Sequence, residues 1–431
     1  MNPSPSFEAG LVAIGAIYPF HESVNLIPII ENNSISKWNS NFERVQDVKL
    51  SRRWAYNSDL QYEDFAKLYG QKIHLDSLRL STGRLLYKLI ANTTLCVYPY
   101  GFSSIIFWID FPKDELFSVP ELIELAALAR GTSERIIKGK NAVEARVIMK
   151  SAQFPNLFEL NKHVYKQSFP SSFKMSQDSI FAHFSHPMIY VGNLQGCDSS
   201  ADISSSFATE LTALSHLWLD SQKMIKAQEI QKVLDMDYHP FTYGISISSM
   251  NCTIEIHPEK QVLDIAALEG ISVIEHHWRE RSQLTSSIEI SILQYFVFRW
   301  FNMKLSELLK EETLKPIDLV NPLKIPSLIQ RIIKLTSLRE NFIQAIAQFR
   351  NSYLKHRNYI QFVSDIFAVQ LNINFLEEEV RFKLDSITKN IELSYSTLTT
   401  MFVIFLSIVA TILAIIQTIA ACIQTFAALN K

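Results

Sequence analysis

Histidines and aspartates recur in small groups along this 431-residue chain, and the spacing within each group decides what chemistry it could support. His183 and His186 lie three residues apart, a spacing that lets two imidazoles on one helical turn share a metal ion. Pro187 follows at once and the neighbourhood offers no third ligand. A solvated or core pair of histidines is therefore the favoured interpretation.

Two further groups carry potential ligands. Asp198 and Asp202 lie in a serine-rich stretch and could bind a cation through carboxylate oxygens, although loop aspartates are more often simply solvated. Glu275, His276 and His277 are consecutive on a predicted helix, where adjacent side chains point in different directions. We therefore predict surface positions for these two histidines and no metal site in either group.

The sequence carries no recognisable catalytic motif. It contains no GxGxxG, P-loop, GxSxG or HExxH pattern, so neither a catalytic residue nor a cofactor is predicted. Four widely spaced cysteines form no CxxC pair, which argues against a zinc ribbon or a disulfide framework and favours a reducing compartment. A formal net charge of −2 provides no basic field, so no nucleic-acid partner is expected.

The elements that position these residues fall into a mixed body and a helical C-terminal part. Within residues 1–325, Thr93–Phe111 and Gly244–Pro258 alternate like paired strands, and a capping box at Ser118 begins a helix. We predict a cytoplasmic α+β body, a sheet with helices packed on it. It forms either one unit or two subdomains divided near residues 150–200.

Residues 327–392 are predicted to form a helical stalk. The chain is free of glycine and proline from Ser327 to Lys431, and apolar residues recur at steps of three and four. One unbroken helix over this span would exceed about 150 Å at 1.5 Å per residue. We therefore expect a bend or reversal near His356–Asn358 or Asn372–Asn374.

The last part of the chain has the composition of a membrane segment. No charged residue occurs from Leu393 to Asn430, and about 20 apolar residues suffice to cross a bilayer. We predict one transmembrane helix over residues 397–428, surrounded by membrane lipid. Arg381 and Lys389 are among the basic residues that precede it, so the positive-inside rule places the body in the cytoplasm and the helix in the inner membrane.

Small and hydroxyl-bearing side chains fall on one side of this helix. At 100° per residue, all of them lie within about 40° of the direction of Thr400, and the opposite side consists of large apolar residues. The set comprises Thr400, Ser407, Thr411, Ala414, Thr418, Cys422 and Thr425, and we call it the hydroxyl stripe. We predict that it packs against another helix or lines a pore. The alternative is that each hydroxyl bonds only to the carbonyl four residues earlier.

The junction Glu378–Ile416, where a charged helix runs directly into the apolar segment, resembles the CorA family of divalent metal-ion channels. In that family a stalk helix continues into the pore-lining first membrane helix, and subunits form pentamers. The resemblance implies a cytoplasmic sensor coupled to a homo-oligomeric pore, by analogy a pentamer. The chain lacks the family's Gly-Met-Asn signature and reaches Lys431 without a second span, which puts selective magnesium transport in doubt. CorA-like proteins without the signature include effectors thought to perturb membranes in phage defence.

We therefore expect a tail-anchored, non-enzymatic membrane protein that forms a pore when its body binds an unidentified small ligand or protein partner. Two alternatives stay open. One is a membrane-anchored interaction protein without pore activity. The other is a tethered enzyme with an unrecognised site, for which His183, His186 and the aspartates Asp198 and Asp202 are the first candidates.

Overall fold

The computed structural model of the chain contains a sheet-and-helix body and a long C-terminal helix, which confirms the predicted classes of element. The described residues are 7–21, 43–44, 67–97, 102–131, 146–168, 185–218, 225–237, 244–313, 325–355, 365–366 and 368–429. The described strands all precede Glu259, and the longest described helices all follow Gly270.

The described strands form one sheet in the order β7-β6-β3-β4-β5-β1-β8-β10-β9, with β2 paired to β3. Their bounds are β1 Ala9–His21, β2 Glu43–Arg44, β3 Lys67–Arg79, β4 Leu85–Val97, β5 Phe102–Asp110, β6 Arg146–Met149, β7 Ala152–Phe154, β8 His186–Leu194, β9 Ile245–Ser248 and β10 Thr253–Pro258. Neighbouring strands are antiparallel except β8 and β10, which are parallel. The first strand, β1, therefore lies inside the sheet between β5 and β8.

The two predicted hairpins are present. β4 and β5 pair in antiparallel fashion, with Cys96 opposite Ser104. β9 and β10 do the same, with Ser248 opposite Thr253. Successive side chains of a strand point to opposite faces of the sheet, so alternate positions on each strand meet different surroundings.

One face of the sheet packs against short helices and carries the apolar core. Ile14 of β1 and Phe107 of β5 are fully buried there together with Leu122 of the first helix. These helices are α1 Val119–Arg130, α2 Leu157–Ser168, α3 Ser200–Ser206, α4 Ala208–His216 and α5 Ala227–Leu234.

The first of these helices begins where the sequence predicts. The Glu121 carboxylate accepts hydrogen bonds from the Ser118 backbone N–H and hydroxyl, each at 2.9 Å, which is the predicted capping interaction. Pro120 occupies the first turn, where a missing N–H costs nothing. Gly131 ends the helix in a left-handed conformation with φ 81°, which glycine adopts without strain.

Four further helices follow the last strands. They are α6 Glu259–Glu269, α7 Val273–Thr313, α8 Ile325–Lys355 and α9 Ile373–Leu429. Contacts divide the chain into a body unit, Met1–Val297 with Ala347–Asn374, and a helical unit, Phe298–Ile346 with Phe375–Lys431. The first part of α7 thus belongs to the body unit and its last part to the helical unit.

Aromatic and polar contacts join the three helices of the helical unit. The ring of Phe342 on α8 packs edge-on against Phe301 of α7, with centroids 4.9 Å apart. Lys383 of α9 donates to Glu379 at 2.7 Å and to Ser306 of α7 at 2.9 Å, and it also contacts Asn302. These bonds anchor the charged half of α9 to the end of α7.

The helical structure is interrupted at one of the two positions where the sequence predicts a bend or reversal of the stalk. Asn372 has φ 54° and its N–H donates to the Val369 carbonyl at 3.0 Å, so the chain turns there and α9 starts at Ile373. Asparagine tolerates this left-handed conformation better than most residues. The other position, 356–358, lies outside the described residues.

Candidate functional site

The second face of the sheet is lined by polar side chains, and we call it together with its covering helix the polar layer. The first part of α7 covers this face at strands β5 and β8, whereas the same face is exposed at His74 of β3 and Ile90 of β4. All of the residues of the polar layer belong to the body unit. The strands contribute Ser104, Trp108, His186, Tyr190, Thr253, Glu255 and His257, and α7 contributes His276, His277, Glu280, Arg281, Thr285 and Glu289.

Tyr190 lies at the centre of the polar layer. Its hydroxyl oxygen is 2.7 Å from His277 Nδ1, and its ring centroid is 5.4 Å from that of His257. His257 Nε2 in turn lies 2.8 Å from Glu255 Oε1. Tyr190, Glu255 and His257 are at most 2% exposed. A phenol, two imidazoles and a carboxyl group therefore form one buried chain of contacts.

Two glycines make room for the rings of this layer. A Cβ on Gly192 would lie 2.4 Å from His277 Cε1, and a Cβ on Gly15 would lie 2.6 Å from Trp108 Cδ2. Both distances are shorter than real Cβ contacts, so each ring occupies the space that a larger residue would need. The sheet backbone and the rings consequently approach each other closely at these two places.

Burial sets the charge of the histidines. It lowers the pKa of His257 and that of His277 to about 3, and nearby imidazoles add to both shifts. Both rings are neutral at neutral pH as a result. Neutral His257 can still donate its Nε2–H to the Glu255 carboxylate, so this contact is a hydrogen bond and not an ion pair.

Glu280 has the opposite shift. Burial, followed by the negative charges of Glu255 and Glu269, raises the pKa of Glu280 to about 8. Its carboxyl group is therefore mostly protonated at neutral pH. The polar layer gains a negative charge when this proton leaves.

The far end of the layer is joined to α7 by neutral and charged contacts. The Ser104 hydroxyl donates to Glu289 at 2.8 Å, and the Trp108 indole N–H donates to the Thr285 hydroxyl at 3.1 Å. The Arg281 guanidinium lies 5.1 Å from the Trp108 ring centroid, within the range of a cation–π contact. Each of these three contacts links a strand residue to α7, and together they hold the helix on the sheet.

Buried neutral imidazoles and carboxyl groups can bind and release protons. Among the described residues, no set of three or more histidine, cysteine, aspartate or glutamate side chains is arranged to hold a metal ion. Access is also restricted, because Tyr190 and His257 are covered by α7. The arrangement suits a proton-sensitive structural layer better than a site open to a substrate.

The candidate residues from the sequence have different positions. His183 lies outside the described residues, whereas His186 is fully buried with Nε2 2.8 Å from the Thr253 hydroxyl, as expected for a core histidine. Asp202 accepts a hydrogen bond from the Ser199 hydroxyl at 2.8 Å at the start of α3. Its carboxylate thus serves helix capping.

The predicted surface positions of His276 and His277 are wrong. These side chains are 1% and 8% exposed because this side of α7 packs on the sheet, where Gly192 leaves space for the His277 ring. Adjacent positions on the helix do point apart, as the sequence predicted. His277 contacts Tyr190, whereas His276 Nδ1 lies 3.9 Å from Glu269 Oε2.

Sequence reasoning missed Tyr190, Glu255 and His257. The signal was present in β10, Thr253–Pro258, where threonine, glutamate and histidine alternate with isoleucine. That alternation is usual for a strand with a solvated face. Here both faces are buried, and nothing local distinguishes a polar face covered by a helix from one covered by water.

The apolar part of α9 forms the second candidate region. α9 has 57 residues and is, within the described part of the chain, the helix long and apolar enough to cross a membrane. Its most apolar stretch is 0% buried, unlike the core helix of a soluble protein. A membrane anchor through this helix is therefore supported by length, composition and exposure.

The hydroxyl stripe lies in this exposed part of α9. Thr411 donates to the Ser407 carbonyl and Thr418 to the Ala414 carbonyl, both at 2.8 Å, and Thr400, Ser407 and Thr425 make equivalent bonds. Each hydroxyl oxygen keeps a lone pair that can accept another hydrogen bond. Cys422 is exposed, whereas the other three cysteines are buried.

Comparison with known proteins gives no relative. No family model, no curated protein and no solved structure matches the chain.

Proposed function

We propose that the chain is a CorA-like, single-pass protein of the inner membrane whose body faces the cytoplasm and whose α9 helices assemble into a pore. The supporting observation is that α9 runs from a charged, partly packed half into a fully exposed apolar half without a break. In water such a surface would be costly, because each large apolar side chain left exposed forfeits about 1.5–3 kcal/mol. Basic residues before the apolar half favour the cytoplasmic side for the body.

The anchoring is tested by fractionation and protease protection. The full-length chain should require detergent for extraction, and protease added outside intact cells should leave the body uncut. Truncation after Lys389 should release the body into the soluble fraction. Full-length protein recovered from washed cytosol would contradict the anchoring, and digestion from outside would contradict the orientation.

The pore is tested in liposomes with two matched double variants. Thr411→Leu with Thr418→Leu changes the hydroxyl stripe and should abolish ion or dye leakage while insertion stays intact, because the pore wall loses its polar groups. Liposomes with the Ile412→Leu and Ile416→Leu variant, which changes the opposite side of the helix, should leak as much as liposomes with the unmodified protein. Equal leakage from the parent and both variants would remove the pore assignment.

A plain anchor is the second candidate function. It is favoured by the bonds that satisfy Thr411 and Thr418 within their own helix, as a single helix in lipid requires. In this case the body recruits a partner, and liposomes that contain the unmodified protein leak no ions. A tethered enzyme is a third candidate, and a substrate would reach Tyr190 or His257 only if α7 moved away from the sheet.

A further inference from the structure

Small and polar side chains recur at every seventh position of the apolar part of α9. One series is Ser407, Ala414, Ala421 and Ala428, and the other is Ala410, Gln417 and Gln424. Taken together, successive members alternate by steps of three and four residues, the spacing of contact positions in left-handed helical bundles. We call these seven residues the α9 seam.

Thr411, Thr418 and Thr425 of the hydroxyl stripe lie beside the seam, and the opposite side of the helix is different. The side opposite the seam carries large apolar residues, which are Ile408, Ile412, Ile415, Ile416, Ile419, Ile423 and Phe426, and all are exposed. Large apolar groups suit contact with lipid, whereas small residues allow two helix backbones to approach closely. The seam is thus the side on which another helix fits.

The two glutamines need a partner that α9 does not supply. Every serine and threonine of the hydroxyl stripe bonds to its own helix, but within the described chain Gln417 and Gln424 make no hydrogen bond. An amide carries two donor hydrogens and an acceptor oxygen, and leaving them unpaired in hydrocarbon is unfavourable. A second amide at the same level satisfies donor and acceptor together.

Two exposed apolar residues of the stalk lie on the series of Gln417. Steps of seven residues back from Gln417 pass Val403, Ser396 and Lys389 before they reach Phe382 and Phe375, whose side chains are 72% and 56% exposed. Buried stalk residues such as Val380 and Ile387 lie off this series and pack within the helical unit. Phe375 and Phe382 therefore share a heptad series with the seam, and Lys389 and Ser396 separate these two apolar parts of α9.

We propose that a second copy of this chain packs along the α9 seam, parallel and in register, with Gln417 and Gln424 hydrogen-bonded to the same residues of that copy. The proposal rests on the proposed function only in placing α9 in a membrane, and it adds the contact face and its chemistry. An identical helix is favoured as partner because the repeat and the amides are self-complementary. No other described helix of the chain could meet α9 inside the bilayer.

Cysteine cross-linking in native membranes tests the contact face. Cys422→Ser provides a background without the exposed thiol, and the buried cysteines stay in place. After addition of a membrane-permeant oxidant, Ala414→Cys and Ala421→Cys should each give a disulfide-linked product of twice the 49.5 kDa chain mass. Ile412→Cys and Ile419→Cys on the opposite side should give at least fivefold less. Equal yields on both sides, or a product with the mass of a different partner, would overturn the seam.

Substitution of the amides gives an independent measurement. Gln417→Leu with Gln424→Leu should weaken self-association about eightfold, measured by energy transfer between labelled chains in lipid. This factor corresponds to the loss of two hydrogen bonds between membrane helices at their average strength. Gln417→Asn with Gln424→Asn should restore part of it. Unchanged association of the leucine variant would refute the role of the amides. Failure of insertion contradicts the anchoring, whereas an inserted protein that cross-links through Ile412→Cys contradicts only the seam.

Discussion

Strands β5, β1, β8 and β10 are buried on both faces of the sheet, but the two faces are buried by different kinds of side chain. On the apolar face, Phe107 and Leu122 need only shape and size to pack well. On the polar face, Tyr190 and Glu255 are as deeply buried, yet their polar atoms require hydrogen-bond partners. The apolar face therefore stabilises the body by burying apolar area, and the polar layer fixes where α7 lies.

The difference between the faces is also one of pH. Burying an apolar side chain binds or releases no proton. Burying His257 and Glu280, in contrast, shifts their pKa values in opposite directions. Of the two sets of side chains, the polar layer is therefore the one that makes the stability of the body depend on pH near neutrality.

The largest expected effect comes from the apolar face. Leu122→Ala should lower the free energy of unfolding by about 2–5 kcal/mol, because it removes buried methyl groups and leaves a cavity. The loss should be the same at pH 6.5 and pH 8. Denaturant titration of the full chain in detergent, followed by tryptophan fluorescence, measures it, and a pH-dependent loss would contradict the contrast between the faces.

The next effect concerns the close approach in the polar layer. Gly192→Ala should cost about 1–3 kcal/mol, because the new methyl group would overlap the His277 ring and push α7 from the sheet. Gly10→Ala is the matched control, since its nearest neighbour would be a Leu116 side-chain carbon at 3.4 Å. The same titration applies to both. Equal costs for the two variants would show that the ring and the backbone do not meet closely.

The smallest effect is the response to pH. Glu280 binds its proton more tightly in the folded state than in the unfolded state, so stability should fall as pH rises from 6.5 to 8, by at most about 1.4 kcal/mol per pH unit. The histidines His186, His257 and His277 affect stability at acid pH. Because their pKa values are lower in the folded state than in the unfolded state, stability is lost as pH falls from 6.5 towards 3.

Glu280→Gln separates these two contributions. The variant should lose the decline between pH 6.5 and 8 and keep the decline on the acid side, as measured by the midpoint of thermal unfolding. A parent midpoint that does not change between pH 6.5 and 8 would mean that Glu280 is not held in its protonated form.

Local sequence patterns predicted the helices and strands better than they predicted what each of them packs against. The capping residues Ser118 and Glu121, the alternation in β10 and the lack of glycine and proline in α9 act within a few residues of each other, so the sequence shows them directly. The burial of His277 depends instead on Gly192, which is distant in sequence. No single-sequence pattern connects those two positions.

Part of the candidate functional regions could be predicted from the sequence, and part could not. The apolar span and the hydroxyl stripe follow from composition and helical geometry alone. The polar layer depends on which strands are neighbours, because β10 is parallel to β8 and so brings Glu255 beside Tyr190. That pairing joins segments separated by more than sixty residues, beyond the reach of periodicity.

α9 also has a mechanical consequence. It is about 85 Å long at 1.5 Å per residue, and its interior contains neither glycine nor proline to absorb twist. A rotation applied at Lys383 is therefore transmitted as torsion to Gln417. Inserting a single residue between them would turn the apolar half by about 100° relative to the stalk. Insertion of seven or eleven residues would turn it by only about 20°, so changes of these lengths keep the apolar half in phase with the stalk.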